Sequence, residues 1–311
     1  MIVVKDVKKQ FEGKQVINGV SFHITPFESV GIIGKNGAGK TTLLNLISGV
    51  LKEDSGFIRI NACRDILSNI PMLKKMSYVS GTRTQLWGDM KLVYSFENCG
   101  KMYGISKGEY EERLKELVTF FDIENCLNKP VTQLSLGQKM RAELVYAFLP
   151  KPEILLLDEA MIGLDVSIKE KVMNALEKLK EERKTTIVYT SHNLTEIEKL
   201  CDRVLLLDQG KIIFDGTVEE IQSESAPEYQ IDIELQEKIP DLEDLPIEKY
   251  ILDKNSLTIR FNKQKVETAT VIKHIISRCG IKNVKITEPN LEETIKNIYR
   301  RNSGKECKKI L

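Results

Sequence analysis

The stretch SVGIIGKNGAGKTTLLNLIS, residues 29–48, decides the fold. It holds the pattern G-x-x-x-x-G-K-T from Gly34 to Thr41, directly after an apolar strand pattern and directly before a helical one. Glycines in such a loop let successive backbone N–H groups face phosphate oxygens, and the positive end of the following helix favours the same anion. Lys40 is expected to reach the β- and γ-phosphates, and Thr41 to place its hydroxyl on Mg²⁺. The predicted nucleotide contacts are Gly34, Lys35, Asn36, Gly37, Ala38, Gly39, Lys40, Thr41 and Thr42.

Composition sets few limits on function. The 311 residues carry 46 Lys and Arg against 45 Asp and Glu, so the formal charge of +1 gives no electrostatic reason to expect nucleic acid as a partner. The six cysteines are scattered without a CxxC pair, and we expect reduced, structural thiols. We expect no signal peptide, because charges interrupt MIVVKDVKKQF, and no spanning helix, because no apolar run approaches the ~20 residues that one needs.

The order of strand and helix patterns predicts two domains. Short β-like runs alternate with helical patterns up to about Gln222, which predicts an α/β fold whose mixed-sheet core carries an inserted helical subdomain. SESAPE, residues 223–228, has the composition of a linker, and a small α+β domain is expected after it. The predicted boundaries are 1–222 for the α/β domain, about 82–150 for its helical subdomain, 223–228 for the linker, 229–301 for the α+β domain and 302–311 for a frayed tail.

Two further motifs narrow the class of enzyme, because a phosphate loop alone also fits kinases, GTPases and helicases. In QLSLGQKMRAELVYAFL, residues 133–149, Ser135 is placed to cap a helix whose N-terminus faces outward. ILLLDEA, residues 154–160, ends a buried strand in Asp158 and Glu159, where carboxylates face the phosphate crevice. Asp158 is expected to hold Mg²⁺ through water, and Glu159 to orient and deprotonate the attacking water.

With these motifs in this order and spacing, the chain resembles the ATP-binding cassette family. GKNGAGKTT corresponds to the family's Walker A motif, LSLGQ to its signature, ILLLDEA to its Walker B motif and GLD, residues 163–165, to its D-loop. The resemblance implies that two cassettes sandwich two ATP molecules and that each signature faces the nucleotide of the other cassette. The site residues it implies are Ser135, Leu136, Gly137 and Gln138 in the signature, Asp165 in the D-loop and His192 at the γ-phosphate.

Some positions depart from the family pattern or match it weakly. Phe11 lies where the family has an aromatic residue that stacks on adenine, although a place in the core fits it as well. Leu136 replaces the first glycine of the usual signature. The Gln that the family has after the strand MSYVS, residues 76–80, is replaced by Thr82 or a neighbour, unless Gln85 contacts Mg²⁺ through a shifted loop.

The family likeness is strongest over residues 3–216 and points to the ATPase subunits of multidrug and natural-product exporters. It implies ATP and Mg²⁺ as ligands, and a transmembrane permease and a second cassette, identical or different, as partners. It also implies a position at the cytoplasmic face of the membrane. Trp87 and nearby aromatic residues lie where cassettes receive the coupling helix of the permease. The expected function is therefore ATP hydrolysis that powers transport.

A soluble cassette ATPase acting on nucleic acid or the ribosome is the alternative. Such proteins usually carry a long coiled-coil insertion or two cassettes in one chain, and this sequence has neither. A P-loop kinase or GTPase is disfavoured by the signature and by the adjacent Asp158 and Glu159. Export rather than import follows from likeness to exporters alone.

Overall fold

The computed structural model divides the chain into two units, Met1–Gly216 and Thr217–Leu311. No helix among the described residues is long and apolar enough to cross a membrane. The structure describes residues 1–81, 83–182, 184–224, 228–236, 249–253, 255–262, 266–277, 280–287 and 291–302.

Unit 1 is built on two β-sheets. Its strands are β1 (Ile2–Phe11), β2 (Lys14–Ile24), β3 (Ser29–Gly34), β4 (Ser55–Ile60), β5 (Met76–Ser80), β6 (Ile154–Asp158), β7 (Thr186–Thr190), β8 (Arg203–Asp208) and β9 (Lys211–Thr217). Three of them form an antiparallel sheet in the order β2-β1-β4. The other six form a sheet in the order β5-β6-β7-β3-β8-β9, in which β5, β6, β7, β3 and β8 run parallel. The predicted α/β fold with a mixed-sheet core is confirmed.

Helices connect the strands of unit 1. They are α1 (Lys40–Ile47), α2 (Ile70–Leu73), α3 (Leu92–Tyr103), α4 (Lys107–Phe120), α5 (Leu136–Phe148), α6 (Val166–Glu181) and α7 (Leu194–Leu200). Two short 3₁₀ helices, Glu124–Cys126 and Val131–Gln133, lie between α4 and α5. Helices α3, α4 and α5 therefore occupy the segment in which a helical subdomain is predicted.

The parallel strands fix where the functional side chains lie. Every residue of β3, β6 and β7 is buried, as expected for central strands that are covered on both faces. Parallel neighbours bring their carboxyl ends to the same edge of the sheet. That edge receives Gly34 from β3, Asp158 from β6 and Thr190 from β7.

A bulge in β1 breaks the alternation of buried and exposed residues. Val4 and Val7 are both buried although they are three positions apart, because the pairing of β1 with β2 shifts register between them. Asp6, inside the shift, has a left-handed backbone with φ 49°. Gly56 in β4 has φ 79°, and a Cβ there would overlap the carbonyl oxygens of Lys5 and Asp6. Only glycine fits at this position.

Unit 2 is a four-stranded antiparallel sheet with helices. It consists of α8 (Val218–Glu224), β10 (Glu228–Leu235), β11 (Lys249–Asp253), β12 (Ser256–Asn262), α9 (Thr268–Ile276), β13 (Ile281–Thr287) and α10 (Leu291–Asn302). The strand order is β11-β12-β10-β13. Its core contains Ile231, Ile233, Leu257, Ile259, Phe261, Val271 and Ile275.

The boundary between the units differs from the predicted one. It lies after Gly216 rather than after residue 222, because α8 packs against α10 and so belongs to unit 2. The predicted linker 223–228 holds the end of α8 and the first residue of β10, while 225–227 lie outside the described residues. Of the predicted tail, residue 302 ends α10, and 303–311 lie outside the described residues.

We expect Gly56→Ala to destabilise unit 1 more than Gly13→Ala. Both glycines have φ 79°, but a Cβ at Gly13 meets nothing within 4 Å. Gly13→Ala should therefore cost only the left-handed backbone strain of about 1–2 kcal/mol. Gly56→Ala must in addition displace the bulge in β1. Thermal and urea unfolding of the two variants would measure the difference, and equal destabilisation would contradict this account of the bulge.

Candidate functional site

The loop between β3 and α1 is shaped by glycines that no other residue could replace. A Cβ on Gly34 would lie 2.7 Å from the carbonyl oxygen of Leu207. Gly39 has φ 109°, and its Cβ would lie 2.8 Å from the side chain of Ile17. The loop is thus held tightly between β8 and the start of β2. Within it, residues 35–37 are exposed, as is Thr41, whereas Thr42 is half-buried.

Lys40 folds back over this loop. Its ammonium donates hydrogen bonds to the carbonyl oxygens of Gly34 at 2.8 Å and Lys35 at 3.4 Å. The residue is only 6% exposed, and burial lowers the pKa of Lys40, against the opposing effect of the Glu159 and Asp158 carboxylates. The Lys40 ammonium is therefore held against a loop whose residues 35–37 are exposed.

Asp158 ends β6 and Glu159 follows it, and Thr190 of β7 contacts the Asp158 carboxylate and the Glu159 backbone. Asp158 pairs directly with Thr190 in the parallel register, and the Thr190 hydroxyl donates to Asp158 Oδ1 at 2.7 Å. The backbone N–H of Glu159 donates to the same hydroxyl and to the Thr190 carbonyl, each at 3.1 Å. Glu159 has a left-handed backbone with φ 53°, which turns it away from the line of the strand. Asp158 is buried and Glu159 is half-buried.

The structure brings together three of the predicted catalytic side chains. His192 Nε2 lies 2.6 Å from Glu159 Oε1, and Lys40 Nζ lies 4.0 Å from the same oxygen. Lys40 begins α1, Glu159 directly follows β6, and His192 lies two residues after the end of β7. A carboxylate, an imidazole and an ammonium therefore converge at the edge of the sheet that carries the phosphate loop.

Glu196 in α7 supports the loop that carries His192, and the sequence analysis missed it. Its Oε2 accepts hydrogen bonds from the Tyr189 hydroxyl at 2.5 Å and the Ser191 hydroxyl at 2.6 Å. Its Oε1 accepts one from the Asn193 side-chain amide at 3.2 Å. Asn193 is the N-cap of α7, and Glu196 follows it by three positions. This Asn-x-x-Glu spacing resembles a capping box and is the signal that could have identified Glu196.

The signature residues lie beside the D-loop of the same chain. Ser135 caps α5 in a capping box with Gln138, and Asp165 caps α6 by accepting from the Ile168 N–H at 3.0 Å. A Cβ on Gly137 would lie 2.7 Å from the carbonyl oxygen of Gly163, so the two loops are in close contact. Leu136 is 57% exposed.

The signature is not joined to the strand-end groups within one chain. Among the described residues, no hydrogen bond or ion pair links Ser135 to Lys40, Asp158, Glu159 or His192.

The two weaker predictions fare differently. Phe11 ends β1 with an exposed ring, and the Lys9 ammonium lies 5.6 Å from the ring centroid, so a place in the core is wrong.

Gln85 is exposed, and its amide nitrogen donates to the carbonyl oxygen of Tyr78 in β5. This bond uses the amide nitrogen alone, and contact of Gln85 with Mg²⁺ stays a prediction. Thr82 lies outside the described residues.

Comparison with known proteins places this geometry in a family. The family model described as ABC transporter matches residues 17–162. An uncharacterized ABC transporter ATP-binding protein of Methanocaldococcus jannaschii is 32% identical over 71% of this chain and 79% of its own length. The linearmycin resistance ATP-binding protein LnrL of Bacillus subtilis is 27% identical over 97% of this chain and 99% of its own length.

A solved structure shows the same fold. It is the dimeric ATP-binding cassette in a post-hydrolysis state bound to ADP and Pi, which is 26% identical with a TM-score of 0.63 over 70% of this chain and 99% of that one. The phosphate loop, the strand-end carboxylates and the histidine that approaches Glu159 agree with this relationship. The chain therefore belongs to the ABC transporter ATP-binding proteins and is the ATP-hydrolysing subunit of such a transporter.

Proposed function

We propose that Glu159 is the general base for ATP hydrolysis in this chain, and that the hydrolytic cycle drives export through a separate permease. The observation that carries the first part is the approach of His192 Nε2 and Lys40 Nζ to one oxygen of Glu159, at 2.6 and 4.0 Å. A carboxylate at this edge of the sheet can accept a proton from a water that attacks the γ-phosphate. ATP lies along the loop from Gly34 to Thr42.

The neighbouring groups have distinct roles in this proposal. Lys40 balances charge on the β- and γ-phosphates, and His192 contacts the γ-phosphate from the end of β7. Thr190 holds the Asp158 carboxylate and the Glu159 backbone in place without a role at the nucleotide itself. The exposed ring of Phe11 offers a face for adenine, because the start of β2 that follows it lies against Gly39 of the phosphate loop.

Mg²⁺ fits the oxygen atoms at this site. The Thr41 hydroxyl and the Asp158 carboxylate are hard ligands of the type that Mg²⁺ prefers, and the ion supplies charge neutralisation at the phosphates when it is bound. The described residues contain no cluster of three or more His, Cys, Asp or Glu side chains that could hold a metal. This fits an ion that is bound largely by substrate phosphates and water.

A second cassette, identical or different, completes each nucleotide site. Large apolar side chains are exposed around the signature and the D-loop, with Leu136 at 57%, Ile162 at 45% and Val166 at 83%. Exposed apolar side chains that lie this close in sequence to the Leu136–Gly163 contact favour an interaction surface. Dimerisation over this face would place Ser135, Leu136, Gly137 and Gln138 at the partner's ATP and Asp165 at the interface.

The permease contacts the segment that follows β5. Trp87, Met90 and Tyr94 are exposed there, and aromatic and Met side chains are enriched in interface cores. This contact would hold the chain at the cytoplasmic face of the membrane. Export is favoured because one relative that matches nearly the whole chain, LnrL, is named a linearmycin resistance protein, and removal of a toxic compound is one route to resistance. The formal charge of +1 gives no support for nucleic acid as a partner.

We expect Glu159→Gln to abolish ATP turnover while ATP binding is retained, because the amide cannot accept the proton of the attacking water. The loss should be about 10²- to 10⁴-fold, which is the usual contribution of a general base. Size-exclusion chromatography with ATP should then show a trapped dimer. Glu153→Gln is the matched control, since Glu153 is an exposed residue just before the other end of β6. Turnover at the wild-type rate in Glu159→Gln would show that another group is the base.

We expect the tagged chain to co-purify from membranes of its own cell with a polypeptide that spans the membrane several times. The interface proposed at Trp87 should make this recovery sensitive to Trp87→Glu, which introduces a charge on the exposed surface. The affinity of Trp87→Glu for ATP should match that of the wild type. Recovery of ribosomal or other soluble partners alone would contradict the transporter and favour the soluble cassette ATPase.

A further inference from the structure

A carboxylate is buried in the middle of the signature helix α5. Glu143 lies eight residues after Ser135 and is 3% exposed, among the buried residues Ala142, Leu144 and Val145. Burial raises the pKa of Glu143, because removal from water disfavours the charged form. Burial of such a group costs free energy unless hydrogen bonds compensate for the lost water. The contacts of Glu143 therefore indicate what the carboxylate does.

Those contacts all lead to the loop after β5. Glu143 Oε1 accepts hydrogen bonds from the Thr84 hydroxyl at 2.5 Å and from the Gln85 backbone N–H at 2.9 Å. The Thr84 hydroxyl in turn accepts from the Leu86 N–H at 3.1 Å. Glu143 Oε2 is buried and has no hydrogen-bond partner among the described residues. One carboxylate oxygen thus holds three consecutive residues of the loop.

The loop leads directly to the exposed aromatic surface. Trp87 follows Leu86, is 44% exposed, and donates its backbone N–H to the Ser95 hydroxyl of α3 at 2.9 Å. Helix α5 carries Ser135 at one end and Glu143 near its middle, and a helix moves as a rigid element over this length. A displacement of the signature helix is therefore passed by Glu143 to the loop that ends in Trp87.

We propose that Glu143 is a positioning residue that ties residues 84–87 to the signature helix, so that closure of the cassette dimer is transmitted to Trp87. The second half of this inference rests on the proposed ATP-driven dimer. The first half, the fixed position of the loop, does not depend on nucleotide.

The chain offers its own reporter, because Trp87 is the single tryptophan in the sequence. Fluorescence of the full-length protein, excited at a wavelength that tryptophan absorbs and the nine tyrosines do not, therefore reports on this loop. Glu143→Leu fills the same buried space but accepts no hydrogen bond. Replacement of a buried charge by an apolar side chain of similar volume is often neutral or stabilising, so this variant is expected to fold. Thr84 and Gln85 are exposed, and water can satisfy the donors that it frees.

Acrylamide quenching without nucleotide tests the positioning. We expect a larger quenching constant for Glu143→Leu than for the wild type, because the loop is released. Glu143→Gln should keep the wild-type value, since its carbonyl oxygen can accept both bonds. Glu112→Leu, at an exposed position in α4, is the matched control and should change nothing. A wild-type quenching constant in Glu143→Leu would overturn the proposal.

Thr84→Val covers the case in which Glu143→Leu does not fold, because it removes a donor from the exposed partner instead. It should raise the quenching constant as well. A wild-type constant in Thr84→Val would then overturn the positioning.

ATP added in a Glu159→Gln background tests the transmission. We expect dimerisation to shift the Trp87 emission of Glu159→Gln. The double variant Glu159→Gln with Glu143→Leu should still dimerise but should lose that shift. The same shift in both proteins would overturn the transmission while the proposed function stands. If Glu159→Gln alone does not dimerise with ATP, the proposed dimer and the transmission both fail, and the quenching experiment still decides the positioning.

Discussion

The hydroxyl of Thr190 fixes the geometry on which the site depends. It donates to the Asp158 carboxylate and accepts from the backbone N–H of Glu159, so one side chain of β7 fixes the last residue of β6 and the residue that follows it. This is possible only because β6 and β7 pair in parallel with Asp158 opposite Thr190. The pairing of β7 with β3 then brings Lys40 of the phosphate loop to the same edge. The convergence on Glu159 thus follows from strand register in a buried sheet.

A second constraint acts away from the sheet, in α5. This helix presents Ser135 at its N-terminus beside the D-loop and holds the loop before Trp87 through Glu143. The signature end of α5 and the loop before Trp87, where the permease is proposed to bind, are therefore connected through a single helix. Such a connection allows a change at the dimer interface to reach a membrane partner without rearrangement of the core.

The sequence identified the short motifs that meet at the site, but it did not identify the long-range contacts that hold them. Gly34, Lys40, Asp158, Glu159 and His192 belong to short motifs whose spacing is visible in one stretch of chain. Thr190 and Glu143 could not be assigned in this way, because their hydrogen bonds to Asp158 and Thr84 cross 32 and 59 residues. Glu196 was missed although the Asn-x-x-Glu spacing from Asn193 is local. The bulge near Asp6 is invisible in the sequence, because it depends on how β1 pairs with β2 and β4. The boundary at Gly216 depends on packing of α8 against α10, which no local pattern reports.

Single-turnover ATP hydrolysis by Thr190→Val, compared with Thr185→Val, tests the central claim most directly. Both residues are buried, Thr190 as the last residue of β7 and Thr185 as the residue just before its first. The Thr185 hydroxyl donates to the Pro152 carbonyl at 2.9 Å, away from the carboxylates. The account predicts that both variants lose some stability, but that only Thr190→Val hydrolyses ATP more slowly, by about 10- to 100-fold, with ATP affinity little changed. Hydrolysis by Thr190→Val at the rate of Thr185→Val would contradict it.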